Sequence, residues 1–218
     1  MTIFTSPFAE VELKNLSITE RVFEGLIDRP NETVLTDGQS GSALSAAAFM
    51  DRVKSLAGGL TERGLGSDHT IALMAPKSPD YCTVFHGIAW AGGTVTTINP
   101  TYTEHEIRHQ LQDSSAEMLV TIPAFLETAK TAIKDTKVSE IIVIGEAQEA
   151  VSLSDLMSTP LDQQVPVDLD KHVVVLPYSS GTTGIAKGVR LSHRNLGVNV
   201  DQSLEVVTVR PGEVTAAF

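Results

Sequence analysis

Residues 178–188 read Tyr-Ser-Ser-Gly-Thr-Thr-Gly-Ile-Ala-Lys-Gly, a composition typical of a phosphate-binding loop. The glycines let several backbone N–H groups point into one concavity, and the small hydroxyl side chains add hydrogen-bond donors without bulk. The apolar run Val173 to Leu176 predicts a buried strand directly ahead of the loop. The sequence therefore predicts a polyphosphate site formed by the following residues: Ser179, Ser180, Gly181, Thr182, Thr183, Gly184 and the positively charged Lys187.

The spacing of this loop differs from that of the common nucleotide-binding motifs. A P-loop needs Gly, four residues, and then Gly-Lys-Ser/Thr, whereas Ala186 stands before Lys187 and Gly188 follows it. The chain also lacks a G-x-G-x-x-G motif. The simple alternative is a polar surface turn that contains a lysine by chance.

The loop resembles the signature loop of the adenylate-forming superfamily, which holds acyl-CoA ligases, firefly luciferase and the adenylation domains of peptide synthetases. The superfamily pattern is Ser/Thr-Ser-Gly-Ser/Thr-Thr-Gly-x-Pro-Lys-Gly. This chain matches every defined position except the proline, which is Ala186. Because proline would fix φ and alanine does not, we expect the far end of the loop to be somewhat looser.

Three other stretches resemble the same superfamily in the same order along the chain: residues 44–49, 75–80 and 91–100. In the first of them Ala46 replaces the usual aromatic residue. The loop, taken together with Asn-Pro-Thr-Tyr-Thr at 99–103, is closest to the 4-coumarate:CoA ligase and luciferase branch. The resemblance thus spans nearly all of the 218 residues.

The resemblance implies ATP-dependent activation of a carboxylic acid and its transfer to CoA. The carboxylate would attack the α-phosphate of Mg-ATP to give an acyl-adenylate and pyrophosphate, and the CoA thiolate would then displace AMP. ATP, Mg²⁺, CoA and a small-molecule carboxylic acid are the implied cofactors and substrates. The loop would hold the β- and γ-phosphates and stabilise the departing charge. No catalytic residue and no metal ligand is expected within this chain.

The resemblance also implies that residues 1–218 are the N-terminal portion of the large ATP- and acid-binding domain, cut inside that domain. Superfamily members are more than twice this length, and their C-terminal lid has no counterpart here. The chain alone is therefore expected to be inactive and to bind ATP weakly, and its uncovered sheet is expected to promote self-association. The alternatives are a non-catalytic nucleotide-binding module and a phosphohydrolase.

Charge and composition restrict the partners further. The chain carries 16 Lys and Arg against 27 Asp and Glu, a net charge of −11, so its summed field repels nucleic acids and anionic membranes. Its one cysteine, Cys82, excludes an internal disulfide, and no run of apolar residues is long enough to span a membrane. We therefore expect a cytoplasmic protein with no membrane span.

The remaining polar candidates have simpler structural interpretations. Cys82 and His86 fall within an apolar helical pattern and are expected to pack in the core. His105 and His109 lie four residues apart on one predicted helix, but no third metal ligand is evident. Ser192 or His193 is expected to cap the helix that follows the loop.

Alternating strand and helix patterns predict an α/β fold with a mostly parallel sheet and helices on both of its faces. Three capping signals, which begin at Ser17, Ser78 and Thr103, mark helix starts. The phosphate loop is expected to join two strands rather than to open a helix, because an apolar stretch too short for a helix follows it. Residues 146–170, rich in Ser, Asp, Gln and Pro, are the best candidate for a surface connection, with one short helix expected at Leu153 to Met157.

Overall fold

A computed structural model describes residues 6–8, 10–179, 186–210 and 212–216 of the chain. The strands of this part are β1 (Thr33–Thr36), β2 (Ala43–Ser45), β3 (Thr70–Leu73), β4 (Thr94–Thr97), β5 (Met118–Thr121), β6 (Glu140–Val143), β7 (Val151–Ser152), β8 (Val173–Leu176), β9 (Tyr178–Ser179), β10 (Lys187–Gly188) and β11 (Leu191–Ser192). The α-helices are α1 (Ile18–Glu24), α2 (Ala46–Glu62), α3 (Pro79–Trp90), α4 (Glu104–Ser114), α5 (Leu126–Ala132), α6 (Leu153–Leu156) and α7 (His193–Val206).

A seven-stranded sheet with the order β11-β8-β4-β3-β5-β6-β7 forms the centre of the fold. All neighbouring strands in it run parallel except β11, which pairs with β8 antiparallel. β4 therefore lies on one side of β3, and the later strands β5, β6 and β7 follow on the other side. Two small antiparallel ribbons, β1 with β2 and β9 with β10, lie outside this sheet.

The predicted helix starts are confirmed, because their side chains satisfy the first free N–H groups of each helix. Ser17 and Thr103 form capping boxes with the glutamates three residues later. The Ser78 side chain accepts a hydrogen bond from the Tyr81 N–H at 3.1 Å, and a proline occupies the first turn of α3. Of the two residues expected to cap the helix after the phosphate loop, Ser192 is the N-cap, and His193 is the first residue of α7.

Helices cover both faces of the sheet, as the sequence predicts. The alternating side chains of β3 show this directly: Ile71 and Leu73 belong to the core with α2 and α3, whereas Ala72 belongs to the core with α4 and α5. These side chains are at most 2 % exposed. Among the described helices, none combines the length and the apolar character that crossing a bilayer requires.

The segment 146–170 contains β7 and α6, which confirms the short helix expected there. Hydrogen bonds that involve the backbone of the segment hold it against α2 and α3. The Trp90 indole N–H donates to the Leu161 carbonyl at 2.7 Å, and the Ser158 N–H donates to the Ser55 carbonyl at 3.0 Å. Leu153 and Leu156 are buried. The polar composition did not reveal this packing, because backbone groups make most of these contacts.

Two glycines in α2 let this segment approach the helix closely. A Cβ at Gly59 would lie 1.5 Å from the Leu156 carbonyl oxygen, and a Cβ at Gly58 would lie 1.9 Å from the Thr159 carbonyl oxygen. Both neighbours are backbone atoms, which cannot rotate away. The chain segment and the helix therefore touch through their backbones.

Three histidines are packed within the fold. His193 is 0 % exposed, its Nδ1 accepts a hydrogen bond from the Ile18 N–H at 3.3 Å, and its ring stacks on that of His172. His86 lies against the Phe49 ring and shares a 2.9 Å hydrogen bond with the Thr19 hydroxyl, which confirms its predicted packing role. Burial lowers the pKa of both His86 and His193 to about 4.

Replacing Gly59 by alanine should destabilise the chain by about 3 kcal/mol or prevent folding, because the added methyl group meets a carbonyl oxygen that cannot move without displacing the segment. Gly197→Ala in α7 is the matched control. It lies in open space, so alanine should stabilise the helix by up to about 1 kcal/mol. Urea unfolding followed by circular dichroism measures both, and equal stability of the two variants would contradict the close approach.

The free energy of unfolding should fall as the pH is lowered from about 6.5 to about 4. Over this range the unfolded chain binds protons at histidines that the folded chain keeps neutral, since the pKa of His193 is about 4 in the folded state. His193→Asn should reduce this loss by about 2–3 kcal/mol. Urea unfolding at pH 7 and pH 4.5 tests the prediction, and an unaltered pH dependence in the variant would refute it.

Candidate functional site

An open cleft lies at the carboxyl ends of β3 and β4. The connection after β3 leads to α3 on one face of the sheet, and the connection after β4 leads to α4 on the opposite face. Such a divergence opens a crevice, which is the usual ligand site of open α/β sheets. The cleft has a volume of about 610 Å³ and is lined by Ala75, Pro76, Lys77, Tyr81, Thr97, Ile98, Asn99, Pro100, Tyr102, Gln110, Pro177 and Tyr178.

The cleft combines aromatic walls with one positive charge. All three tyrosines of the chain line it, and the Lys77 ammonium lies 4.1 Å from the centroid of the Tyr81 ring. Among the lining residues within the described chain, Lys77 alone is basic and none is acidic. In a chain with a net charge of −11, this cleft is a local exception to the overall field. The arrangement suits a ligand with planar or apolar parts and a negative charge.

The predicted phosphate loop emerges from the rim of this cleft. Its two ends form the ribbon of β9 and β10, in which Ser179 pairs with Lys187 and Tyr178 pairs with Gly188. The expectation that the loop joins two strands is thus confirmed. Ser179 and Lys187 are exposed and lie directly opposite each other. The other predicted site residues, Ser180, Gly181, Thr182, Thr183 and Gly184, lie outside the described residues.

Tyr178 joins the ribbon to α4. Its hydroxyl donates a hydrogen bond to the Asp113 carboxylate at 2.5 Å, and its ring covers Gly188, where a Cβ would lie 3.1 Å from the ring. Partial burial, and then the hydrogen bond to Asp113, raise the pKa of Tyr178 above its ordinary value. The hydroxyl therefore stays protonated and acts as a donor. Tyr178 thus ties the start of the ribbon to α4.

A hydrogen-bond network beneath the cleft fixes the end of β8 from which the ribbon departs. The Thr96 hydroxyl on β4 donates to the Leu176 carbonyl at 3.1 Å. The Gln110 amide on α4 donates to the Thr96 hydroxyl at 3.0 Å and to the Thr97 carbonyl at 2.9 Å. The Gln110 side-chain oxygen is buried and has no partner among the described residues. Sequence reasoning missed Gln110 and Asp113, because neither belongs to a recognisable motif.

Cys82 does not contribute a reactive thiol to the cleft. Its side chain packs against the core beside α2, and burial raises the pKa of the thiol. Thiolate formation at neutral pH is therefore disfavoured. Among the residues that the structure describes, no group of three or more His, Cys, Asp or Glu side chains is arranged to hold a metal ion.

The fold and the cleft define the chain as a doubly wound α/β unit with an open cleft at the carboxyl ends of its parallel strands. Comparison with known proteins gives the family. Residues 25–218 match the AMP-binding enzyme family, and the chain belongs to that family. The resemblance inferred from the loop is thereby confirmed.

Individual relatives agree with this family. The chain is 30 % identical to 4-coumarate–CoA ligase 3 of Oryza sativa subsp. japonica over 209 residues, which cover 94 % of this chain and 37 % of that protein. It is also 30 % identical to 4-coumarate–CoA ligase 2 of Petroselinum crispum, covering 93 % of this chain and 38 % of that one. The chain thus spans about two fifths of the length of these relatives.

Solved structures share the fold. A long-chain-fatty-acid–CoA ligase from Archaeoglobus fulgidus superposes with a TM-score of 0.83 at 25 % identity, over 93 % of this chain and 41 % of that chain. A luciferase from Phrixothrix hirtus superposes with a TM-score of 0.82 at 19 % identity, over 93 % of this chain and 54 % of that one. The second likeness supports the fold alone.

Thr96→Val should destabilise the chain by about 1–3 kcal/mol, because it removes a buried hydroxyl together with its hydrogen bonds to the Leu176 carbonyl and the Gln110 amide. Thr97→Val is the matched control on the same strand. The Thr97 hydroxyl makes no hydrogen bond within the described structure, so this change should stay within about 0.5 kcal/mol. Urea unfolding compares them, and equal effects would argue against the network.

Proposed function

We propose that this chain is the N-terminal portion of the large domain of an AMP-forming acid–CoA ligase, which activates a carboxylic acid with ATP and transfers the acyl group to CoA. The observation that carries the proposal is the position of the ribbon. Pro177 and Tyr178 line the cleft, and Tyr178 also belongs to the ribbon, so a ligand in the cleft would lie beside the ribbon that carries the loop. Membership of the AMP-binding family supports the use of ATP.

The loop would bind the β- and γ-phosphates of ATP, which leave as pyrophosphate. A carboxylate oxygen of the acid attacks the α-phosphorus of ATP, the bond to the bridging oxygen of the β-phosphate breaks, and pyrophosphate departs with the added charge. Lys187, with the amides and hydroxyls from Ser179 to Gly184, would hold the β- and γ-phosphates and stabilise that charge. The thiolate of CoA then attacks the acyl carbon and releases AMP.

Mg²⁺ would enter this reaction bound to the phosphates of ATP. The described residues offer no cluster of carboxylates or histidines that could bind the ion by themselves. ATP phosphates, by contrast, are good ligands for Mg²⁺, which commonly binds through substrate phosphates and few protein groups. Mg²⁺ is therefore proposed as a companion of ATP and not as a resident metal of this chain.

The cleft would accept an organic part of the substrates. Its aromatic walls and the Lys77 charge match a molecule with a planar or apolar body and an anionic group. Relatives with solved structures are named for long-chain fatty acids, anthranilate and benzoate. We propose an aromatic or fatty carboxylic acid as the substrate of the protein that contains this chain.

The test is carboxylate-dependent exchange of pyrophosphate into ATP by the whole protein, with aromatic and fatty acids compared. Lys187→Ala should lower the exchange rate about 10- to 100-fold, because a charge-assisted hydrogen bond to phosphate contributes about 1.5–3 kcal/mol. Lys171→Ala, which removes an exposed lysine paired with Asp168, is the matched control and should keep full exchange.

Two results would contradict the proposal. Exchange that persists undiminished in Lys187→Ala would remove the loop from the reaction. Binding of ATP without any acid-dependent exchange would instead favour the non-catalytic nucleotide-binding module. The weak ATP affinity and the self-association expected of residues 1–218 alone stay predictions, as does the cytoplasmic location.

A further inference from the structure

The ribbon that carries the phosphate loop is too short to hold its own orientation. β9 and β10 contribute two residues each and form a sheet separate from the seven-stranded one. One further backbone bond, from the Val189 N–H to the Pro177 carbonyl at 2.8 Å, extends the pairing. An isolated two-stranded ribbon is marginally stable at best in water. A contact from outside the ribbon must therefore fix it.

The two faces of the ribbon have different roles. Side chains alternate along a strand, and residues paired across an antiparallel ribbon share a face. Ser179 and Lys187 therefore project from one face, whereas Tyr178 projects from the other and covers Gly188. Whatever holds Tyr178 also sets the direction of the face that carries Lys187.

α4 is firmly attached to the sheet and so can serve as the support. Ile107 and Leu111 are 0 % exposed in the core between α4, α5 and the sheet. Gln110 is 2 % exposed and binds the end of β4 through two hydrogen bonds. Asp113, three residues further on, lies near the same face of the helix and reaches Tyr178.

The stability of α4 does not explain why an aspartate occupies position 113. The residue lies in the last turn of α4, where a negative charge opposes the partial negative charge of the helix C-terminus. That turn contains no basic residue to offset it. The hydrogen bond from Tyr178 is the favourable contact that the structure gives to this carboxylate.

We propose that Asp113 is a positioning residue for the phosphate loop: through the Tyr178 hydroxyl it fixes the ribbon so that Ser179 and Lys187 face the bound polyphosphate. This inference rests on the proposed function. Asp113 touches no substrate in this scheme and acts only through Tyr178. The raised pKa of Tyr178 keeps the hydroxyl a donor at neutral pH.

The test uses the 218-residue chain and four variants. Asp113→Ala and Tyr178→Phe each remove the hydrogen bond, whereas Asp113→Asn keeps an acceptor oxygen. Gln112→Ala is the matched control, because it removes an exposed hydrogen bond from the adjacent position of α4 to the Asp135 carbonyl, away from the ribbon. NMR follows hydrogen exchange at the Val189 amide and, during titration with inorganic tripolyphosphate, the shifts of the Lys187 and Gly188 amides.

Asp113→Ala and Tyr178→Phe should speed Val189 exchange about tenfold and raise the tripolyphosphate concentration at half-saturation several-fold, since a hydrogen bond to a charged group is lost. Asp113→Asn should keep both the exchange rate and the half-saturation concentration near those of the unaltered chain. Gln112→Ala should also match the unaltered chain in both. The melting temperature should stay unchanged in all four. This rescue and the unchanged melting separate positioning from a merely structural role.

Two outcomes overturn the inference: Val189 exchange that stays unaltered without the hydrogen bond, or exchange that speeds equally throughout β3 and β5. If tripolyphosphate binds all variants equally while exchange is unaltered, Asp113 is excluded and the proposed function stands. If tripolyphosphate shifts no ribbon amide even in the unaltered chain, the loop-positioning role of Asp113 fails, whereas the proposed function is tested separately by pyrophosphate exchange with the whole protein.

Discussion

α3 and α4 lie on opposite faces of the sheet, and the rest of this structure depends on that constraint. The apolar side chains of α3 pack with α2 on one face, and those of α4 pack with α5 on the other. The sheet is covered on both faces, because successive residues of its central strands are buried on both sides. The chain segments that leave β3 and β4 therefore separate, and the cleft is the space between them.

α4 connects this constraint to the proposed chemistry. One turn of the helix buries Leu111 in the core, ties the end of β4 through Gln110, and presents Asp113 to Tyr178. The same few residues thus contribute to packing, to the floor of the cleft and to the orientation of the ribbon. The buried Gln110 amide nitrogen donates two hydrogen bonds, which leaves the side chain few alternative positions and makes the attachment specific.

The charge distribution fits a site that attracts its ligand locally. The chain as a whole is acidic, with a net charge of −11, and its field does not draw anions from a distance. Lys77 at the cleft and Lys187 on the ribbon are positive charges placed beside the ligand edge of the sheet. Recognition of a phosphate ligand would therefore depend on short-range contacts and on the ion that accompanies the ligand.

The sequence by itself determined the fold class, the helix starts at Ser17, Ser78 and Thr103, and the connection of two strands by a glycine-rich stretch. These features depend on local chemistry: capping side chains, the period of apolar residues, and glycines at a turn. Only the tertiary structure decided that α6 packs against Gly59, that Gln110 closes the floor of the cleft, and that Asp113 meets Tyr178, 65 residues away. Such contacts join residues far apart in the chain, and no spacing rule within one segment can specify them.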